Sequence, residues 1–147
     1  MDGQLVLAGL KADLESLTDT FKEAGAKRAI VLDMSVASHC ELLTSAVENL
    51  KPYLDEFLKD EFLPVISNVS TNAYKTKDEA IELLSAQLTS PVKYKQSIIA
   101  HENEVDLFIE FGNGIVLKGL NRKITKVPTV NVSDMKTLES VIGELND

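Results

Sequence analysis

The chain is 147 residues long, with 44% hydrophobic residues, 26% charged residues and a formal net charge of -8. That length allows one domain, or one domain with a small appendage, and the composition is that of an ordinary soluble globular chain. The acidic balance disfavours nucleic-acid binding, which needs a basic face for phosphates, and no apolar run approaches the ~18 residues of a membrane span.

In chain order, Gln4-Leu5-Val6-Leu7-Ala8 reads as a short strand closed by Gly9. Leu10, Leu14, Leu17 and Phe21 then recur at helical spacing, and Gly25 is a suitable C-terminal stop. Residues 28–33 form the next strand, and Asp33-Met34-Ser35-Val36-Ala37-Ser38-His39-Cys40 joins it to an amphipathic helix. Leu42, Leu43, Ala46, Val47 and Leu50 mark the inner face of that helix. Pro52 cannot donate a backbone hydrogen bond, so it kinks the helix or starts a second segment at Tyr53-Leu54. Pro64-Val65-Ile66-Ser67-Asn68-Val69 reads as a buried strand. Thr76, with Glu79 three residues on, is a capping box opening a helix through Ile81, Leu84 and Leu88, which Ser90-Pro91 stops. A short helix over 94–102 precedes a strand, Val105-Asp106-Leu107-Phe108-Ile109-Glu110-Phe111. A turn at Gly112-Asn113-Gly114 then leads to a helix over 115–124. Pro128-Thr129-Val130-Asn131-Val132 is the last strand, and Ser133 caps a final helix with Met135, Leu138 and Ile142 inside. Strands alternating with helices argue for a mostly parallel, helix-covered sheet.

Few residues carry chemistry. The single cysteine, Cys40, excludes an intrachain disulfide and fits a reducing cytosol; with no basic-then-apolar leader, a cytoplasmic location is the expectation. No CxxC, HExxH or acidic calcium loop is present, so no metal site is expected. His39 sits at a strand-to-helix junction, where an imidazole can reach into a cleft and move protons near neutral pH. Spacing alone points rather to a capping or hydrogen-bonded loop histidine. The other histidine, His101, lies in a polar context, Ala100-His101-Glu102-Asn103. Lys118, Arg122, Lys123 and Lys126 form a basic patch suited to an acidic partner, or a solvated face whose cations favour a helix C-terminus. The glycine turn ahead of the 115–124 helix could cradle an anion or simply connect strand to helix.

Ala24-Gly25-Ala26-Lys27-Arg28-Ala29 followed by Ser35-Val36-Ala37-Ser38-His39-Cys40 resembles the bacterial malonyl-CoA:acyl carrier protein transacylases of fatty-acid synthesis. Further matches are Gly3-Gln4-Leu5-Val6-Leu7-Ala8-Gly9, Ser67-Asn68-Val69, Gln87-Leu88-Thr89-Ser90-Pro91-Val92 and Glu110-Phe111-Gly112-Asn113-Gly114, the last followed by Leu117-Lys118-Gly119-Leu120. They fall in family order, but only over the C-terminal half of chains about twice this length. The resemblance implies an α/β fold: the C-terminal part of a mostly parallel, α/β-hydrolase-like acyltransferase domain over 37–147, and the trailing half of a small ferredoxin-like subdomain over 1–36.

The resemblance also implies covalent catalysis without a cofactor. A serine takes malonyl from malonyl-CoA as an ester and passes it to the phosphopantetheine thiol of acyl carrier protein. His39 matches the family's general base, and Gln87 matches the glutamine whose backbone carbonyl holds the other ring nitrogen. From its position alone, Gln87 reads instead as a polar residue at a helix end. Ala37 and Ser38 match residues that line the acyl pocket in related polyketide acyltransferases; their small size leaves room, so the resemblance implies malonyl, with a branched acyl group still open. The family's nucleophile sits in a Gly-His-Ser-Leu-Gly elbow; no two glycines here are four apart, so no Gly-x-Ser-x-Gly occurs. The malonyl-clamping arginine and the oxyanion-hole glutamine have no counterparts either. The chain is thus expected to hold a base without a nucleophile and to be inactive alone. Its expected partners are malonyl-CoA, acyl carrier protein and the family's N-terminal half. The competing reading is a non-catalytic α/β module that binds a small ligand or regulates.

Overall fold

The computed structural model describes residues 5–146, as two compact units that divide between Lys93 and Tyr94. Gly3 and Gln4 of the first motif lie outside the described residues. The architecture is mixed α/β.

The first unit begins with helix α1 (Lys11–Glu23), which follows Leu10 and ends at Gly25, where φ is +99°. A 3-10 turn (Glu41–Leu43) leads into α2 (Thr44–Phe57), which packs on α3 (Lys77–Thr89). Helix α2 runs on through Pro52, giving up the one bond that a donor there would make to the preceding turn. The strands β1 (Glu61–Ile66) and β2 (Ala73–Thr76) pair antiparallel, with Val65 opposite Tyr74 and Ile66 opposite Ala73. Their register slips between Glu61 and Val65, the stretch that holds Pro64, which has no ladder donor to offer. Phe62 meets Tyr74 edge to face, with ring centres 5.9 Å apart.

Two strands expected from sequence are not formed. Residues 5–8 and 28–33 pair with nothing among the described residues. A strand needs a neighbour for its backbone groups, and an apolar run cannot supply one alone. Their side chains are left in solvent: Leu5 is 85% exposed, Ile30 61% and Leu32 60%. Strand β2 was missed because four residues with one buried side chain, Tyr74, carry too short an alternation.

The second unit contains α4 (Tyr94–His101), β3 (Phe108–Phe111), α5 (Val116–Ile124), β4 (Thr129–Val132) and α6 (Met135–Asn146). Here β3 and β4 pair parallel, Phe108 opposite Thr129 through Phe111 opposite Val132, with α5 as the crossover between them. The interior is small: Ile98, Val132 and Val141 are its buried apolar side chains among the described residues. A polar chain crosses it. Tyr94 Oη donates to Asn121 Oδ1 at 2.8 Å, and Asn121 Nδ2 donates to Thr129 Oγ1 at 3.1 Å. Asn121 is 2% exposed, so both ends of its amide need these partners.

Helix ends are closed by carboxylates. Glu79 accepts from the Thr76 hydroxyl at 2.8 Å and from the Lys75 and Thr76 N–H groups at 3.2 Å, completing the expected capping box. For α6 the capping residue is Asp134 rather than Ser133. Its carboxylate accepts from the Thr137 N–H and hydroxyl at 2.8 and 2.9 Å, while the Thr137 hydroxyl accepts from the Ser133 and Asp134 N–H groups. Asp134 wins because a cap sits three residues before the N–H it satisfies, and Thr137 is that residue.

The Thr76 hydroxyl, then the Lys75 and Thr76 amides, hold the Glu79 carboxyl below its usual range. The Thr137 amide, then its hydroxyl, does the same for Asp134. A carboxyl lowered on folding stabilises the fold above its unfolded value and loses that contribution as pH falls through the folded one. The melting temperature should therefore fall as pH drops from about 4 downward. Glu79→Gln should melt lower at neutral pH and show a shallower acid decline than the parent; an unchanged acid decline in Glu79→Gln would contradict the assignment.

Candidate functional site

Residue His39 is brought to α3 by its own backbone. Its φ is +62°, in the left-handed region that few non-glycine residues enter, although histidine does so more readily than most. The turn directs the ring across 48 residues of sequence to the last turn of α3, where Nδ1 lies 2.8 Å from the carbonyl oxygen of Gln87. A carbonyl only accepts, so Nδ1 carries the proton and Nε2 is left as the basic lone pair. His39 itself is exposed, and Ala37, Ser38 and Gln87 are half-buried. Cys40 Sγ lies 3.9 Å from the Ala37 carbonyl, a weak contact that closes the loop on itself. The two residues singled out from sequence, His39 and Gln87, therefore meet, through the Gln87 main chain.

The loop after β1 lies in the same unit. Ser67 is 3% exposed, and its hydroxyl accepts from the Val69 and Ser70 N–H groups at 3.1 and 3.2 Å. Thr71 takes a φ of +68°, and its N–H donates to the Ser67 carbonyl at 2.9 Å. The carbonyl of Asn68 accepts the Lys93 N–H at 2.8 Å, tying this loop to the chain that leaves α3.

In the second unit the glycine turn holds no place for an outside anion. Glu110 already fills the N-terminus of α5: its two oxygens accept the Leu117 and Lys118 N–H groups, each at 2.9 Å. Asn131, opposite Glu110 in the parallel ladder, fixes the turn from the other side. Its Nδ2 donates to the carbonyls of Glu110, Gly112 and Gly114 at 3.1, 3.1 and 2.7 Å. The positive φ values of Gly112 and Gly114, +129° and +113°, are what let those carbonyls converge. Of the simple connection and the anion cradle, this is the connection. Sequence reading gave Glu110 and Asn131 no structural role; the available signal was a polar residue within each of two largely apolar strands.

Of the basic residues, Arg122, Lys123 and Lys126 line an open cavity of about 530 Å³ in the second unit, together with Glu102 and Asn103. Lys118 is not part of that lining. His101 is committed elsewhere, with Nδ1 2.7 Å from a Glu104 carboxylate oxygen. Among the described residues no group of three or more His, Cys, Asp or Glu side chains could hold a metal ion. No helix among them is long and apolar enough to cross a membrane.

The tautomer can be tested directly. At a pH where His39 is neutral, its ¹⁵N shifts should show Nδ1 protonated and Nε2 bare. Gln87→Ala should leave that pattern in place, because the carbonyl persists; loss of the Nδ1–H signal in Gln87→Ala would assign the hold to the side chain.

No family model matches the sequence. The chain is 43% identical over 148 aligned residues to the malonyl CoA-acyl carrier protein transacylase of Bacillus subtilis, an alignment covering 99% of this chain and 47% of that protein. The crystal structure of malonyl-CoA:acyl carrier protein transacylase from Helicobacter pylori superposes with a TM-score of 0.91 at 45% identity, covering 95% of this chain and 45% of that one. A type II polyketide-synthase acyl carrier protein in complex with its malonyl-transacylase gives 0.85 at 31% identity, covering 92% and 45%. The resemblance drawn from the motifs therefore extends over almost the whole chain, and the chain spans about half the length of the relatives it matches.

Proposed function

We propose that this chain is the C-terminal half of a malonyl-CoA:acyl carrier protein transacylase and contributes that enzyme's general base. The observation that carries the reading is the bond from His39 Nδ1 to the Gln87 carbonyl, 2.8 Å long. It leaves Nε2 as a lone pair at the exposed edge of the ring, the arrangement a base needs to take a proton from a hydroxyl. The backbone carbonyl replaces the carboxylate of a catalytic triad: it fixes tautomer and orientation without adding charge.

In this reading the nucleophilic serine is supplied by residues outside the 147. Nε2 takes the serine proton as the hydroxyl attacks the malonyl thioester of coenzyme A, then gives a proton to the departing thiolate. The same nitrogen removes the proton of the carrier's phosphopantetheine thiol as that thiol attacks the seryl ester, returning the serine to its hydroxyl form. Ala37 and Ser38, directly before the base, border the acyl group and leave room for malonyl. The cavity lined by Arg122, Lys123 and Lys126 offers the cationic surface that an acidic carrier protein would dock against.

Exposed apolar surface supports the idea of a covering partner half. Leu63 on β1 is 86% exposed and Leu5 85%, and apolar exposure on this scale marks a contact surface. Residues 1–36 would complete a small ferredoxin-like subdomain and 37–147 the large acyltransferase domain once the partner half is present. The alternative, a non-catalytic ligand-binding or regulatory module, draws on the missing Gly-x-Ser-x-Gly.

Two experiments separate them. In a full-length enzyme containing these residues, His39→Ala should slow malonyl transfer by about 100-fold or more, the scale of losing a general base. His101→Ala should leave the rate near the parent's, and the reverse pattern would move the base to His101. The isolated 147 residues, incubated with radiolabelled malonyl-CoA, should retain no protein-bound label. Stoichiometric label lost on Ser38→Ala would show that the chain carries a nucleophile of its own.

A further inference from the structure

The hold on His39 depends on a carbonyl that an α-helix would ordinarily use itself. In α3 each carbonyl accepts from the N–H four residues on. For Gln87 that residue is Pro91, which has no N–H. Proline also restricts its predecessor: Ser90 sits at φ -115° and ψ 151°, the extended conformation that a following proline imposes, and the helix ends there. The next part of the chain is led away, with the Lys93 N–H donating to the Asn68 carbonyl at 2.8 Å.

We propose that Pro91 is a positioning residue for His39: by removing the helical donor for the Gln87 carbonyl, it reserves that oxygen for Nδ1 and so sets which ring nitrogen is basic. The four-residue spacing from Gln87 to Pro91 is then a chemical requirement and not only a helix stop. A proline one residue later would end the helix as well, but would leave residue 91 an N–H to offer the Gln87 carbonyl. Three of the last four carbonyls of α3 lie at Ala86, Leu88 and Thr89; the fourth, Gln87, is the one His39 reaches, and its helical donor position is the one occupied by proline. The proposal rests on reading His39 as the base for its consequence in catalysis, but the tautomer it predicts does not.

The test uses histidine ¹⁵N shifts on the folded protein, with activity measured in the full-length enzyme. In Pro91→Ala the new N–H competes for the Gln87 carbonyl, and the His39 signals should move toward a mixture of Nδ1–H and Nε2–H tautomers. In the full-length enzyme kcat should fall by about 3- to 10-fold with KM little changed, and the acid limb of the pH–rate profile should shift. Pro91→N-methylalanine, made by semisynthesis, keeps the missing N–H without the ring and should restore the parent tautomer and rate. A folded Pro91→Ala protein with an unaltered His39 tautomer would overturn the proposal, as would an N-methylalanine variant that folds but behaves like Pro91→Ala. If the tautomer shifts as expected while neither Pro91→Ala nor His39→Ala changes transfer, the positioning claim stands and the assignment of His39 as base falls.

Discussion

Every helix leaves backbone groups unpaired at its two ends, and how those groups are satisfied organises both units. At three N-termini the partners are carboxylates: Glu79 for α3, Glu110 for α5 and Asp134 for α6. At the C-terminus of α3 the partner is an imidazole, His39, arriving from far away in the sequence. The first three bonds set where helices begin. The last one turns a helix end into a chemical site, because the group that satisfies the carbonyl is itself able to carry a proton.

This explains how a loop can hold an imidazole in one orientation. The loop at His39 has two restraints, a left-handed backbone turn at the residue itself and a 2.8 Å bond from its ring to a helix. A helix end is a rigid acceptor, fixed by the turns before it. α3 is in turn braced against α2, including an ion pair from Lys77 to Asp55 at 3.0 Å. An exposed pair of this kind is worth little alone, so packing between the two helices supplies most of the rigidity. The second unit solves a similar problem with uncharged chemistry: the amide of Asn131 gathers three carbonyls and so shapes the Gly112–Gly114 turn.

The sparse burial of this chain has a direct physical reading. Hydrophobic content is ordinary, yet few apolar side chains are buried among the described residues. Apolar runs at 5–8 and 28–33 have the composition of strands and lack the neighbours that strands need. β1 is paired on one side by β2 and presents Leu63 and Val65 to solvent. An unpaired sheet edge and exposed apolar side chains are surfaces that a neighbouring chain segment can cover.

What the sequence determined by itself was local. Helical periodicity placed α1 and α2, the Thr76–Glu79 spacing opened α3, Ser90-Pro91 closed it, and Gly112-Asn113-Gly114 marked the turn before α5. These signals act within one or two turns of chain, so no distant partner is needed to read them. The meeting of His39 with Gln87 was legible only through resemblance to a family, because nothing in either residue's neighbourhood points 48 positions away. Tertiary structure alone decided the rest. It filled the α5 N-terminus with Glu110, drew Asn131 over the turn and left two apolar runs without strand partners. Each of those outcomes depends on which groups arrive within about 3 Å of one another, and that is a property of the folded chain rather than of any segment in it.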